Sequence, residues 1–367
     1  MGRGAMMTEA PRRYRSPQQD SARWDDFPVR AGDIVISSPA KSGTTWVQMI
    51  CALLIFQTPD LPKPLSALSP WLDQAFTPRE KVYAELAEQE HRRFIKTHVP
   101  LDGLPLDPRV NYLVVVRHPL DRALSLYHQA AGTRAEWLHA FQDHPDAQSS
   151  SPSSLTLPPP REWLLKWCQP DPADGWEQDV AAAELHHPLD AWNRRAQPNV
   201  RLLHYDDLCT DLAGHMAALA EWLGITVDEA VRPELVKAAT FDEMKARAEW
   251  LAPDTEILTD PVEFFREGRS GAGRELLTED DLEAYRKRVA PLLRGRSWTG
   301  CTAIRPPTAA ERAHPDDLRR RASAAADDPA GPVPAGRPGT RSALPPGAGG
   351  RATAPPPPSL VPRLPYR

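Results

Sequence analysis

The stretch SSPAKSGTTWVQMI, residues 37 to 50, sets a lysine, a glycine, hydroxyl side chains and a tryptophan between two apolar runs. It follows a predicted strand, DIVISS (33 to 38), and opens a predicted helix, TTWVQMICALLIFQ (44 to 57). Backbone N–H groups around Ser42, Gly43, Thr44 and Thr45 can then converge on an anion at the helix N-terminus. Gly43 permits the turn and a close approach, the threonines add donors, and Lys41 adds a mobile positive charge. The lysine precedes the glycine, whereas a Walker A loop places it directly after one. The chemistry is that of a phosphate-type site, with a Thr-capped turn and a surface lysine as the plain alternative.

Two further clusters carry chemistry. In RFIKTHVP (93 to 100), Lys96 and His98 are two apart on a predicted strand and share one face, so a cation and a titratable imidazole address one spot. A histidine there can take a proton near neutral pH, a role that typically contributes about 10²–10⁴-fold in rate. In VVVRHPLDRALSLYH, Arg117 leaves a wholly apolar strand, Pro119 starts a helix, and Ser125 lies about two turns on. A guanidinium with bidentate donors and a helical hydroxyl can grip a second phosphate, unless Arg117 pairs locally with Asp121.

The elements that must position these groups alternate. Short apolar runs at 33–38, 92–98, 111–118 and 200–208 read as strands. Segments 44–57, 121–131, 179–196, 211–224 and 278–295 have helical spacing, with Gly224 and Gly295 as C-caps and Pro188 kinking or splitting the third. Strands alternating with helices predict an α/β fold, a central mainly parallel sheet flanked by helices on both faces, with ligands at the carboxyl ends of the strands. Residues 1–29 read as a partly disordered N-terminal extension, and the Ser- and Pro-rich stretch 143–163 as a long mobile loop within the domain 30–298. Fifteen of the 41 prolines fall after residue 302, so 299–367 reads as a disordered Pro/Ala/Arg-rich tail.

A net charge of -5 offers no basic face for nucleic acid, which leaves any anion site local. Cys51, Cys168, Cys209 and Cys301 are dispersed without a CxxC pair. With no apolar h-region near the start and no run of 18 or more apolar residues, the expectation is a soluble, cytoplasmic protein without a transmembrane segment. No His/Cys/Asp cluster has metal-ligand spacing, so no metal is expected.

SPAKSGTTW, RFIKTHVP, VVVRHPLDRALSLYH, LLHYDDL, ATFDEMK and FFREGRSG, in this order and at these separations, resemble the motif set of sulfotransferases that use 3′-phosphoadenosine-5′-phosphosulfate (PAPS). The likeness runs from about residue 30 to about 295, and SPWL (69 to 72) and HHPLDAWNRR (186 to 195) also resemble family segments. It implies a P-loop-like three-layer fold, PAPS as co-substrate, and transfer of a sulfuryl group to a hydroxyl or amine of a small or lipidic acceptor. It further implies that Lys41, Ser42, Gly43, Thr44 and Thr45 hold the 5′-phosphosulfate, with Trp46 against the adenine. His98 matches the family's general base and Lys96 its second active-site lysine. Arg117 and Ser125 match the 3′-phosphate grip, Tyr205 and Phe241 the adenine contacts with Met244 beside them, and Arg266 and Gly268 the completion of the 3′-phosphate site. A homodimer is a further family trait for which no interface segment is legible.

Two positions depart from the pattern. The family commonly has a second basic residue at Glu267, where a carboxylate repels phosphate, so either Arg269 compensates or donor affinity falls. Ala239 falls where the family often has a threonine, with Thr240 next to it. The acceptor pocket is expected after SPWL, from Phe76 and Tyr83, and from the segment 132–177 with Trp137, Trp163, Trp167 and Trp176. Two rival readings stay open. A P-loop kinase or NTPase would need a GK[ST] lysine and a carboxylate for Mg²⁺, and a non-catalytic nucleotide-binding module would bind PAPS without turnover.

Overall fold

A computed structural model describes residues 10–137, 157–168, 180–253 and 257–293, the side chains of 180–184 excepted. Strands β3 (Ile34–Ser37), β4 (Phe94–Thr97), β5 (Asn111–Val116) and β6 (Val200–His204) form one parallel sheet in the order β4-β3-β5-β6. A small antiparallel hairpin, β1 (Arg15–Ser16) with β2 (Gln19–Asp20), precedes it. Every residue of β3 and β4 is buried, as expected of near-continuous apolar runs covered on both faces.

Alternation along the strands builds two cores. Ile34, Ile36, Phe94, Leu113, Val115 and Leu203 face the helices Thr44–Phe56 and Leu212–Leu223. Val35, Ile95, Tyr112, Val114 and Val116 face the other way, toward Trp24, Phe27, Val82, Leu86 and Ala191. Each fully buried Ile, Val or Phe contributes about 1.5–3 kcal/mol, so the three layers are held by both faces of one thin sheet. A third cluster packs the helix Pro119–Ala131 against Pro160–Cys168 and Glu279–Leu293.

Local chemistry sets the element ends. The helix Pro119–Ala131 begins with Pro at its first turn, and His118 accepts from the Leu120 N–H at 3.2 Å. Gly224 closes the helix Leu212–Leu223 at φ 65°, the left-handed cap expected of it. The helix Val180–Arg194 runs through Pro188 without splitting. The predicted strand 200–208 ends at His204, because the Asp206 N–H is capped by the His204 side chain and Tyr205–Thr210 turns into a helix. Residues 10–29 pack onto the domain, with Trp24 and Phe27 buried. Of the predicted loop 143–163, residues 143–156 lie outside the described residues and Pro160 already begins a helix. Gly295, Cys301 and the tail 299–367 also lie outside them. No helix among the described residues is long and apolar enough to cross a membrane.

At the amino ends of the strands, Arg93 and Asp33 form a bidentate ion pair of 2.5 and 2.9 Å, each side chain only 2% exposed. Asp33 also accepts from the Arg30 N–H, and the Arg93 guanidinium lies 4.9 Å from the Phe27 ring centre. Breaking such a pair leaves an uncompensated buried charge, so Arg93→Ala is expected to lose about 3–5 kcal/mol of stability. Urea unfolding of the variant checks this, and a loss within the range of an exposed pair would show that the site relaxes.

Candidate active site

Parallel pairing brings three loops to one edge. Ser37 of β3 is level with Thr97 of β4 and Val114 of β5, so the segments after Ser37, Thr97 and Val116 all leave the sheet at its carboxyl end. One cleft there is lined by Lys41, Gly43, Thr44, Thr45, Trp46, Lys96, His98, Arg117, Ser125, Tyr205, Phe241, Met244, Arg266 and Gly268. Those are all the positions singled out from the motifs except Ser42, which is fully buried beside them. The cleft has a volume of about 320 Å³, within the ~300–1,000 Å³ range of ligand pockets.

The loop is shaped for an anion. Lys41 takes φ 65°, a left-handed conformation that costs a non-glycine residue roughly 1–2 kcal/mol. Gly43 takes φ 104° at the cap of the helix Thr44–Phe56 and makes no side-chain cap bond, so the first-turn N–H groups stay available. A Cβ on Gly43 would lie 2.9 Å from the Tyr205 ring, so this glycine serves packing as well as close approach. The Thr44 hydroxyl is paired with Ser38 Oγ at 2.6 Å, which leaves the Thr45 hydroxyl for a ligand. Two polar atoms here are buried without a partner, Ser42 Oγ and Arg117 Nε. Orphaned donors of this kind are what a phosphate would satisfy.

Arg117 does not pair with Asp121. Its Nη2 donates to the Arg269 carbonyl at 2.8 Å and its guanidinium lies 4.2 Å from the Tyr205 ring centre. Asp121 instead accepts from the Gly271 and Gly273 N–H groups, both at 2.9 Å, and so anchors the segment that carries Arg266 and Gly268. Gly268, at φ 64°, lies where a Cβ would enter the Phe241 ring. Trp46 donates its indole N–H to the Ala239 carbonyl at 2.8 Å and meets Tyr205 edge-on at 5.2 Å. Ala239 therefore contributes its backbone, while the Thr240 hydroxyl turns away to the Lys237 carbonyl.

His98 donates from Nδ1 to the Ser38 carbonyl at 2.7 Å, which places its proton there and leaves Nε2 as an acceptor. Burial, then the charges of Lys96, Arg122 and Lys41, push its pKa down to about 3, so the ring is neutral. Burial and the neighbouring Arg117, Lys96 and Arg266 lower Lys41 to about 7. In the open cleft the Lys41 ammonium rests 3.8 Å from the Phe264 ring centre.

Trp71, the tryptophan of SPWL, touches both Lys96 and His98: Lys96 Nζ lies 4.6 Å from its ring centre and His98 meets it edge-on at 4.9 Å. From Trp71 the wall continues to Phe76 and then Trp137. Tyr83 is not part of it; its hydroxyl donates to the Arg23 carbonyl and its ring packs on Phe27. Trp163 and Trp167 are likewise core, Trp163 donating to the Ala123 carbonyl and Trp167 being buried. Trp176 lies outside the described residues. Ile257, Leu258 and Phe265 add apolar surface, and Gln18, Gln129 and Thr133 add polar groups that no motif announced.

A profile of the Sulfotransferase domain matches residues 31–296. The chain belongs to the sulfotransferase family. It is 40% identical over 300 residues to a glycolipid sulfotransferase of Mycobacterium bovis, covering 76% of this chain and 90% of that one. The same identity holds over 299 residues with the glycolipid sulfotransferase of Mycobacterium tuberculosis H37Rv, with the same coverage. Mouse sulfotransferase SULT7A1, solved with PAP, has a similar fold at TM-score 0.55 and 20% identity, covering 77% of this chain and 90% of that one. Retinol dehydratase, solved with retinol and PAP, aligns at TM-score 0.56 and 22% identity, covering 78% and 86%.

In this sulfotransferase Glu267 is the only carboxylate among the described residues that line the cleft, and it does not turn to solvent alone. It bridges Arg266 and, at 2.7 Å, Arg269, while Arg269 also holds Glu275 at 2.5 and 2.8 Å. Arg269 is thus engaged by two carboxylates and offers a phosphate little compensation. An exposed pair of this kind is worth about 0.2–1 kcal/mol. Glu267→Gln, which frees Arg266, is expected to tighten PAP binding up to about fivefold by titration calorimetry. Unchanged or weaker binding would show that Glu267 helps to orient Arg266.

The Lys41 ammonium loses its charge as pH rises through about 7 in the open cleft, and a bound phosphate holds the proton on. PAP affinity is therefore expected to be level below about pH 6 and to fall through pH 7, by up to about tenfold per pH unit toward pH 9, with proton uptake on binding. Lys41→Arg should flatten that slope. A pH-independent affinity in the parent protein would place Lys41 outside the phosphate site.

Proposed function

We propose that this sulfotransferase moves a sulfuryl group from PAPS to a hydroxyl of a glycolipid. The observation that carries the reading is one cleft in which an unprotonated His98 Nε2, two lysines and an anion loop stand beside a wall of Trp71, Phe76, Ile257, Leu258 and Phe265. An apolar wall suits an acyl or alkyl chain, and the side-chain amides of Gln18 and Gln129 with the Thr133 hydroxyl suit sugar hydroxyls. The 40% identity to glycolipid sulfotransferases supports the same acceptor class.

Lys41, the Thr45 hydroxyl and the N–H groups of the loop bind the 5′-phosphosulfate, while Arg117, Ser125 and Arg266 take the 3′-phosphate. Trp46, Tyr205 and Phe241, with Met244, pack the adenine. His98 Nε2 receives the acceptor proton as the acceptor oxygen forms its bond to sulfur and the bond from sulfur to the bridging phosphate oxygen breaks. Lys41 and Lys96 offset the negative charge that gathers on that leaving oxygen, so the protein's contribution is position and electrostatics. The free thiols of Cys51, Cys168 and Cys209 support a cytoplasmic setting.

A kinase reading lacks its parts. Arg117 stands where an Mg²⁺ carboxylate would follow the apolar strand, and Lys41 precedes Gly43 instead of following a glycine. The deciding experiment is transfer from ³⁵S-labelled PAPS across a panel of octyl glucoside, a glycosylceramide, dodecanol and 2-naphthol, with ATP plus Mg²⁺ as control donor. Transfer to the sugar-bearing lipids, and at least a 100-fold loss in His98→Ala, are expected, about the contribution of a general base. Near-normal turnover of that variant would remove His98 as the base. Transfer to 2-naphthol alone would remove the glycolipid assignment, and PAPS binding without any transfer would leave a binding module.

A further inference from the structure

His187 is a fully buried imidazole on the helix Val180–Arg194 that the reaction above does not use. Its Nε2 lies 2.7 Å from Ser37 Oγ, and Ser37 Oγ donates to the Val99 carbonyl at 2.8 Å. A serine hydroxyl has one proton, so with that proton on Val99 it must accept from His187 Nε2–H. Burial and the positive charge of Arg122 keep His187 neutral, and the tautomer with Nε2 protonated is the one that satisfies both bonds.

The peptide groups so held are those around His98. Its own ring bonds to the Ser38 carbonyl, and the Ser38 N–H donates to the Thr97 carbonyl at 3.2 Å. The Val99 N–H donates to Thr97 Oγ1 at 3.0 Å, and Thr97 Oγ1 donates to Asp73 at 2.9 Å. Both polar groups of Val99 are therefore fixed, the N–H from the side of Asp73 and the carbonyl from the side of His187. Without the second hold, the chain leaving β4 at His98 is tied on one side only.

We infer that His187 is a positioning residue: through Ser37 it clamps the Val99 peptide and so fixes where His98 Nε2 points. The inference rests on His98 as the base. A misplacement of about 1 Å in a reacting group can cost about 100-fold, whereas the donor loop keeps its own ties, Ser38 Oγ to Thr44 and the Trp46 indole to Ala239, when the His187–Ser37 bond is lost. His187→Leu is expected to lower kcat about 10–100-fold with the PAPS KM and the PAP Kd close to those of the parent protein. His187→Gln, whose Nε2 amide can donate in place of the imidazole, should recover most of the loss.

Steady-state kinetics with the best panel acceptor read this, together with the His98 Nδ1–H proton resonance in ¹⁵N-histidine-labelled protein. That signal should be protected in the parent and in His187→Gln and exchange-broadened in His187→Leu. If the leucine variant does not fold, Ser37→Ala removes the same two bonds with little change of volume and carries the same expectation. Parent-like kcat, a loss carried by the PAPS KM, equal losses in the Leu and Gln variants, or an unchanged His98 signal would overturn the clamp. Near-normal turnover of His98→Ala would overturn the base itself, an outcome separable from all of these because the His98 resonance reports the clamp independently of catalysis.

Discussion

The placement of β3 between β4 and β5, in parallel register, is the constraint on which the rest of the molecule depends. Ser37 pairs level with Thr97 on one side and Val114 on the other, so three separate loops begin within a strand spacing of each other. The anion loop, the Lys96–His98 pair and Arg117 come from segments more than fifty residues apart in part, yet need no special device beyond that register to converge. A one-residue slip would send Lys96 to the opposite face and exchange the two cores. Apolar burial on both faces makes that slip costly, which is how packing far from the cleft fixes the chemistry at its edge.

The second constraint is charge. Lys41, Lys96, Arg117, Arg122 and Arg266 stand close enough together for their charges to lower Lys41 and His98, and Glu267 is the sole carboxylate among the described lining residues. A folded chain carries such a concentration of cations only where other contacts hold it. Cation–ring contacts serve that purpose here: Lys41 on Phe264, Lys96 on Trp71 and Arg117 on Tyr205. Aromatic faces stabilise a cation without placing a fixed negative charge in the cleft, so they give way to a phosphate where a carboxylate would compete with it.

Much of this is legible in the sequence alone. Motifs confined to short runs, such as SPAKSGTTW and VVVRHP, state both the element and the side chain that leaves it, and nearly all of their residues meet in the cleft. What escaped was of another kind. Tyr83, Trp163 and Trp167 carry the composition of a pocket wall, but whether an aromatic ring faces a core or a cleft depends on tertiary packing that helical spacing does not encode. Gln18 and Gln129 are single residues with no local pattern, brought to the wall by the hairpin and by helix placement. His187 sat inside a recognised segment without a role, since its partner Ser37 is 150 residues away. The end of β6 was misplaced for a local reason: the His204 cap on Asp206 converts an apolar run into a helix start.

On the proposed reading of His98 as the base, the same cations tie donor binding to its strength. In the open cleft the charges of Lys96, Arg122 and Lys41 add to burial in holding His98 near a pKa of 3, which makes it a poor proton acceptor. A phosphosulfate and a 3′-phosphate bring negative charge to the groups that cause part of this depression. Bound there, they would hold the proton on Lys41 and offset the part of the His98 depression that comes from charge, leaving burial, the larger cause, in place. On the proposed reading, His98 is a stronger base with the donor bound than without it. On that reading the coupling needs no separate gate, because Lys96 and Lys41 both face the proposed donor site and lower the imidazole pKa.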